Sequence, residues 1–305
     1  MKKYLTYIAG ITFSSIFGFS FLFTKEALEI LKPFHLLGFR FGAAALALTL
    51  LLLLKIIKLD YSNKKLALLF LLALIQPGLY FIFETLGINL TTSSEAGMMI
   101  AIIPIVVTIM ASIFLGEKPG LKQLIFVIIS VTGVFFIILM RGNSDLGKNF
   151  LGIIYLLGAV VMAGIYNILS RKLSLKFKPV EITFIMMWSG AVFFNLIAVL
   201  KYNNSLYSYF QPLANIEVVT AVMYLGILSS VLAFFLMNYT LSKIEAARSA
   251  VFANLTTIIS ILAGVLIRGE NFYWYQIVGG LLIIIGVWGT NYYGKAEKKV
   301  EEIPA

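Results

Sequence analysis

The stretch SSEAGMMIAIIP, residues 93–104, decides the fold, because the chain contains a second, weaker copy of it. The second copy begins with AARSA at 246–250. An LGE triplet at 115–117 follows the first copy, and a GE pair at 269–270 follows the second at the same separation. Recurrence of motifs at a fixed spacing indicates a chain built from internal repeats.

Matching residues also lie upstream of these motifs, so the repeat extends over most of the chain. The matched pairs are Gly18 with Gly164, Lys25 with Arg171, and Pro33 with Pro179. We therefore predict a first repeat at 1–145, a second at 146–294 and a short tail at 295–305. Two similar apolar halves of this kind are typical of transporters.

The composition indicates an integral membrane protein. Of the 305 residues, 60% are hydrophobic and 12% are charged, whereas roughly 25% of an ordinary soluble domain is charged. The apolar runs are about 20 residues long, which matches the hydrocarbon thickness of a bilayer. Backbone groups in lipid must be satisfied within each run, so the runs are helices. We predict an all-α membrane protein whose ten transmembrane helices form two inverted five-helix repeats.

The distribution of Lys and Arg predicts the orientation in the membrane. Most basic residues between the predicted helices lie on the same side as the N-terminus, and the positive-inside rule places that side in the cytoplasm. Both termini are then cytoplasmic, in a plasma (inner) membrane. An odd number of helices in each half inverts the second half relative to the first. The net charge of +10 reflects these basic loops, so we expect the lipid bilayer as a partner and no nucleic acid.

Several motifs together resemble the EamA family of the drug/metabolite transporter superfamily. The resemblance covers about residues 5–293. It rests on the 93–104 stretch and on three further segments: GFSFLFTK (18–25), GFR (38–40) and AARSAVFAN (246–254).

This resemblance implies an inner-membrane secondary carrier, often an exporter of amino acids or other small metabolites. It also implies a central cavity between the halves, with the fifth and tenth helices acting mainly as scaffold. The chain departs from the family pattern at Thr257, where the second copy commonly has proline. It departs again at Phe17, where a tryptophan often precedes the glycine.

Charged residues inside the predicted helices are the first candidates for substrate binding. Arg40 lies in the second predicted helix, where the resemblance also places an arginine; the alternative is an arginine that snorkels to the headgroups. Glu84, in the third, could attract a cationic or zwitterionic substrate, carry a proton or lie at the interface. Both fall at similar predicted depths, so we expect them to approach each other, directly or through a water or a substrate.

Four uncharged side chains complete the predicted substrate-binding set: Tyr80, Asn167, Trp188 and Asn254. The two asparagines fall on helices that the resemblance places around the cavity, although amides in lipid often bond neighbouring helices instead. The two aromatic residues could form cavity walls, or they could be packing or interface residues.

Other motifs are expected to be structural. Glu95 begins the fourth predicted helix, where a carboxylate favours the helix dipole, and Glu117 and Glu270 are expected to stabilise helix ends and loops. Glycines give the tenth predicted helix a small face, which suits either a homodimer or close packing within the chain. They are Gly279, Gly280, Gly286 and Gly289.

The expected function is that of a secondary active carrier for a small polar or amphipathic metabolite, an amino acid or a related compound. Export by alternating access is the expected mode, with a proton as the simplest coupling ion and a lipid-like substrate as an alternative. The rival class is an intramembrane enzyme acting on lipid, which would need converging catalytic groups. The chain has no cysteine, one histidine and no Gly-Lys-Ser/Thr phosphate loop, so we expect no catalytic residues, metal or cofactor.

Overall fold

The computed structural model describes residues 2–62, 64–91, 96, 99–100, 102–141, 150–202, 205–268 and 273–294. Within these residues the secondary structure is helical, without strands. Ten longer helical segments are labelled here in chain order. They are α1 Lys2–Ile30, α2 Pro33–Leu53, α3 Ala67–Leu90, α4 Ile103–Phe114, α5 Leu121–Arg141, α6 Phe150–Leu173, α7 Pro179–Tyr202, α8 Ile216–Lys243, α9 Ala253–Arg268 and α10 Trp274–Tyr293.

Six of these helices are long and apolar enough to cross a membrane: α1, α2, α3, α6, α7 and α8. The chain also has shorter apolar helices, Ile103–Phe114, Leu121–Ile137 and Ile277–Tyr293. Many large apolar side chains lie on the outer surface, among them Leu53 and Leu200, as a lipid-facing surface requires. The predicted all-α membrane class is confirmed.

Prolines and polar caps set several helix starts. Pro33 and Pro179 open α2 and α7, where the missing N–H of proline is harmless. The Asn215 side chain caps α8 by accepting from the backbone N–H of Glu217 at 2.8 Å. The connection before it folds into two short helices, Leu206–Phe210 and Gln211–Ala214.

Two of the long helices depart from regular α-helix near their middle. α3 is kinked within Leu74–Leu79, where Gln76 has non-helical backbone angles (φ −146°, ψ 117°). α8 has a wide, π-helical turn at Tyr224–Ala233. The two departures fall at corresponding places in the alignment that pairs 93–97 with 246–250. A π-helical turn rotates the side chains that follow it and is frequent at functional sites.

The helices pack in a pattern that is unchanged when the two halves are exchanged. α2 packs on α7, and α5 packs on α10. α1 packs on α8 and α9, while α6 packs on α3 and α4. If each helix is replaced by its counterpart five places along, the same set of pairs results.

A pair of matched cations provides a second correspondence between the halves. The ammonium of Lys25, in α1, donates to the carbonyl of Ile88 at 3.1 Å near the end of α3. The guanidinium of Arg171, in α6, donates to the carbonyl of Leu241 at 2.7 Å near the end of α8. Each cation thus occupies the carbonyl end of a helix, where the macrodipole is negative.

Glu117 ties the connection after α4 to the second half, as the sequence predicts for a loop stabiliser. It accepts from Arg171 at 3.3 Å and from the backbone N–H of Ala246 at 2.8 Å. Burial raises the pKa of the Glu117 carboxyl above its ordinary value, because desolvation outweighs the opposing effects of Ala246 and Arg171. Glu270, the counterpart of Glu117, and Glu95, the predicted cap of the fourth helix, lie outside the described residues.

The small face of α10 packs against α5 of the same chain. A Cβ at Gly279 would lie 2.6 Å from the carbonyl oxygen of Gly133, and one at Gly286 would lie 2.5 Å from the backbone nitrogen of Ser130. Of the four glycines in the predicted small face, Gly280 alone has open space beside it. The structure therefore shows the intramolecular alternative for this face, and a homodimer through α10 would have to use the opposite side.

Candidate functional site

A cavity lies inside the bundle, between α1, α2, α3, α4, α6, α8, α9 and the short helix Ala246–Ala250. Its volume, measured as space open to the centre of a water molecule, is about 60 Å³. A water needs roughly 10–15 Å³ on that measure, so this conformation has room for a few waters. Five phenylalanines form much of the apolar wall: Phe13, Phe17, Phe21, Phe81 and Phe234.

Arg40 enters this cavity from α2 and is held by α8 and α3. Its Nε donates to the hydroxyl of Ser230 at 2.8 Å, and its Nη2 donates to the hydroxyl of Ser229 at 2.9 Å. The guanidinium also lies 4.3 Å from the ring centre of Phe81. These contacts fix a cation that is only 3% exposed, and they argue against a snorkelling arginine.

The wide turn of α8 explains why two consecutive serines can reach one guanidinium. Ser229 and Ser230 both lie within the π-helical segment Tyr224–Ala233. Gly226 in the same segment permits close approach of α2, since a Cβ there would lie 2.9 Å from the carbonyl oxygen of Arg40. The Arg40 site is thus built by the backbone of α8 as well as by its side chains.

Glu84 faces the same cavity from α3, one helical turn beyond Tyr80. The Tyr80 hydroxyl donates to Glu84 Oε1 at 2.7 Å, and both side chains line the cavity. Glu84 and Arg40 attract each other electrostatically, yet the ion pairs within 4.0 Å between described residues do not include this pair. The direct contact, one of the arrangements expected from the sequence, is therefore not present between these two residues, and an approach through a water or a substrate stays a prediction.

Asn167 is the fourth predicted site residue that the cavity contains. Its Nδ2 donates to the carbonyl of Ala163, one turn earlier in α6, at 2.8 Å. Its Oδ1 is buried and has no hydrogen-bond partner among the described residues. The amide therefore presents an acceptor that the described residues leave unused.

The remaining two predicted site residues lie elsewhere. Trp188 is 38% exposed on the outside of α7, where its indole N–H donates to the Thr49 hydroxyl at 3.1 Å. Asn254 is fully buried and donates to the Ser130 hydroxyl of α5 at 2.8 Å. Neither residue lines the cavity described above.

Sequence reasoning missed the residues that hold Arg40. Serine is common in apolar helices. Ser229 and Ser230 are distinguished in the sequence only because they align with Gln76 and Pro77 of the first half. Other polar side chains tie helices together, as expected for amides in lipid. Asn238 accepts from Tyr166 at 2.7 Å and from Ser170 at 2.6 Å.

An internal cavity that holds opposite charges inside a bundle of membrane-crossing helices defines the protein as a multi-pass membrane transporter. Comparison with known proteins supports this class. The sequence model of the EamA-like transporter family matches the chain twice, at residues 4–139 and 150–292. The chain therefore belongs to the EamA-like transporter family, within the drug/metabolite transporter superfamily.

Individual relatives agree with the family assignment. The chain is 38% identical to the uncharacterized transporter YcxC of Bacillus subtilis (strain 168), over 98% of this chain and 96% of that protein. It is 26% identical to a probable terminal-alkyne amino-acid exporter of Streptantibioticus cattleyicolor, over 65% and 64%. A solved crystal structure superposes with a TM-score of 0.78 at 16% identity, over 94% and 98%, and so shares the fold.

The family and the names of these relatives indicate a transporter and not an enzyme. The intramembrane lipid enzyme considered as the rival class is therefore set aside.

Proposed function

We propose that this protein is a secondary active carrier that moves a small zwitterionic or otherwise amphipathic metabolite, such as an amino acid or a related compound. The observation that carries the proposal is the pair of opposite charges in one cavity. Arg40 and Glu84 both line it, and neither neutralises the other by direct contact. A buried charge is costly, so a ligand that brings the complementary charges is favoured there.

Both charged groups keep unused bonding capacity. Within the described part of the chain, Arg40 uses Nε and Nη2, and Glu84 uses Oε1. This leaves Arg40 Nη1 as a donor for a carboxylate and Glu84 Oε2 as an acceptor for an ammonium. The surrounding phenylalanines suit the apolar part of an amphipathic molecule.

Alternating access follows from the proposed repeat. We infer that 1–145 and 146–294 are inverted copies in the plasma membrane. Both termini, including the tail 295–305, lie in the cytoplasm in this proposal. The packing pattern that is unchanged on exchange of the halves supports this inference. So does the double match of the family model. Two inverted copies around one site can open in turn toward each side.

Export is the proposed direction, and Glu84 is the proposed carrier of a coupling proton. The printed name of the Streptantibioticus cattleyicolor relative, an amino-acid exporter, supports the direction and the substrate class. A carboxyl enclosed with a tyrosine hydroxyl, Tyr80, and a cation, Arg40, can exist in either protonation state as a ligand enters and leaves. A lipid-like substrate is the second candidate within the carrier class.

The proposal is tested by transport in proteoliposomes. Purified protein should take up at least one zwitterionic amino acid from a metabolite panel with saturable kinetics, and unlabelled substrate should compete. Imposing a proton gradient should raise the initial rate. A panel in which no zwitterion is transported, while a lipid-like compound is moved between leaflets, would replace this proposal by the second candidate.

A further inference from the structure

Three residues that line the cavity each carry a buried oxygen atom that has no hydrogen-bond partner among the described residues. The atoms are Gln76 Oε1, Asn167 Oδ1 and Ser249 Oγ. Their side chains are 4%, 1% and 1% exposed. A buried polar group without a partner is destabilising by about 1–3 kcal/mol, so three around one cavity require an explanation.

The three residues belong to segments that touch one another. Gln76 lies in the kink of α3, and Ser249 lies in the short helix Ala246–Ala250. α6, which carries Asn167, packs against both of these segments.

The two amide oxygens of the group are hydrogen-bond acceptors, and the Ser249 hydroxyl can accept or donate. The Nδ2 of Asn167 is already bound to the carbonyl of Ala163, so the oxygen is the atom left unused. An amide oxygen can accept and cannot donate. Arg40, in contrast, offers only donors, so the two parts of the cavity favour opposite ligand groups.

We propose that Gln76, Asn167 and Ser249 form a second substrate subsite that binds an N–H donor group, most simply a primary ammonium. This subsite rests on the proposed carrier function and extends it, because it is separate from the Arg40 and Glu84 side chains. Acceptor-only groups such as carboxylate gain no hydrogen bond from the two amide oxygens. The subsite therefore adds acceptors for the N–H groups of a substrate amine to the acceptor proposed at Glu84 Oε2.

The test uses two small probes, n-butylammonium and butyrate, which share an alkyl chain and differ in the polar group. Their binding to the purified full-length protein in detergent is measured by the concentration dependence of Tm. We expect n-butylammonium to give a saturable rise in Tm. Asn167→Leu should raise the Kd of n-butylammonium at least tenfold. Asn167→Asp, which keeps the acceptor, should have a Kd close to that of the wild type. The Kd of butyrate should change less than twofold in either variant.

The chain offers a matched control in α10. The Nδ2 of Asn291 also donates to the carbonyl one turn earlier, Val287 at 2.9 Å, and its Oδ1 is also unpartnered. Asn291 does not line the cavity, so Asn291→Leu should leave the Kd of n-butylammonium unchanged. Ser249→Ala, a smaller change, should weaken it in the same direction as Asn167→Leu and serves if Asn167→Leu does not fold.

The subsite is overturned if the wild-type protein shows no saturable shift with n-butylammonium. It is also overturned if Asn167→Leu and Ser249→Ala both keep the Kd within twofold. These outcomes differ from failure of the carrier proposal, which is judged by flux in proteoliposomes. Transport by the wild-type protein, together with an unchanged Kd in the variants, would contradict the subsite proposal alone. Specific binding without any transport would contradict the carrier proposal alone.

Discussion

The kink of α3 and the wide turn of α8 occupy corresponding places in the two halves, but they differ in backbone conformation and in side-chain chemistry. In α8, Ser229 and Ser230 bind Arg40 of the facing helix α2. In α3, the corresponding residues are Gln76 and Pro77, and the counterpart of Arg40 is Met186 in α7.

The facing helices nevertheless approach closely at both places. A Cβ at Gly190 of α7 would lie 2.8 Å from the ring of Pro77, as one at Gly226 of α8 would lie 2.9 Å from Arg40. At each place a glycine lets two helices approach closely, and the facing residue makes the junction apolar at Pro77 and charged at Arg40. Glu84 likewise has an uncharged counterpart, Met237. At these two cavity positions, the first half carries a charged residue and the aligned position of the second half carries methionine.

The largest expected effect concerns the inversion on which the comparison depends. Lys32 and Lys178 precede the matched prolines and are exposed, so inverted halves place them on opposite sides of the membrane. Lys32→Cys should react with a membrane-impermeant maleimide from outside intact cells, and Lys178→Cys should react only after permeabilisation. The parent chain has no cysteine, so it provides a blank. Labelling of both variants from the same side would show that the halves are not inverted.

The next effect comes from making the first half resemble the second. Arg40→Met gives α2 the residue found at position 186 and removes the donor proposed for the substrate carboxylate. We expect the initial rate of uptake into proteoliposomes to fall below a tenth of the wild-type rate. The free energy of unfolding should change less than the rate. The substitution removes two charge-assisted hydrogen bonds, about 1.5–3 kcal/mol each, but the charge no longer has to be buried, which offsets part of that loss.

Met186→Leu is the control for this substitution, because it alters the corresponding position without altering charge. Its rate should stay within twofold of wild type. If Arg40→Met transports at the wild-type rate while remaining folded, the charged junction at α8 has no part in transport.

A smaller and more selective effect is expected at the other charge. Glu84→Gln keeps the shape of the side chain and its contact with Tyr80 but removes the ionisable group. Uptake driven by a proton gradient should be lost, whereas exchange of labelled for unlabelled substrate should continue at a reduced rate. Glu29→Gln, on the exposed end of α1, is the control. Undiminished gradient-driven uptake by Glu84→Gln would exclude this carboxyl as the proton carrier.

Part of the site could be predicted from the sequence because charge inside a membrane helix is conspicuous. Arg40 and Glu84 were identified on that ground, and the structure brings them, with Tyr80 and Asn167, to one cavity. The membrane class followed from composition for the same reason, since apolar runs of this length are rare in soluble proteins.

The rotation of each helix about its axis could not be predicted. In a soluble protein, polar residues mark the outer face of a helix. In lipid, the outer face is as apolar as the packed one, so α7 shows no pattern that distinguishes the side of Trp188 from the side of Met186. The serines of α8 were missed for a related reason, because a wide turn changes the register of the helix and leaves no mark in composition.

The smallest expected effect separates asymmetry from function. Trp188 is as asymmetric as Arg40, because its counterpart in α2 is Gly42, but it lies outside the cavity. Trp188→Phe removes one hydrogen bond to Thr49 at a partly exposed position, which is worth about 1 kcal/mol at most. Uptake should stay within twofold of wild type, with only a small decrease in Tm. A loss of transport as large as that expected for Arg40→Met would mean that the functional residues are those that differ between the halves, and not those that line the cavity.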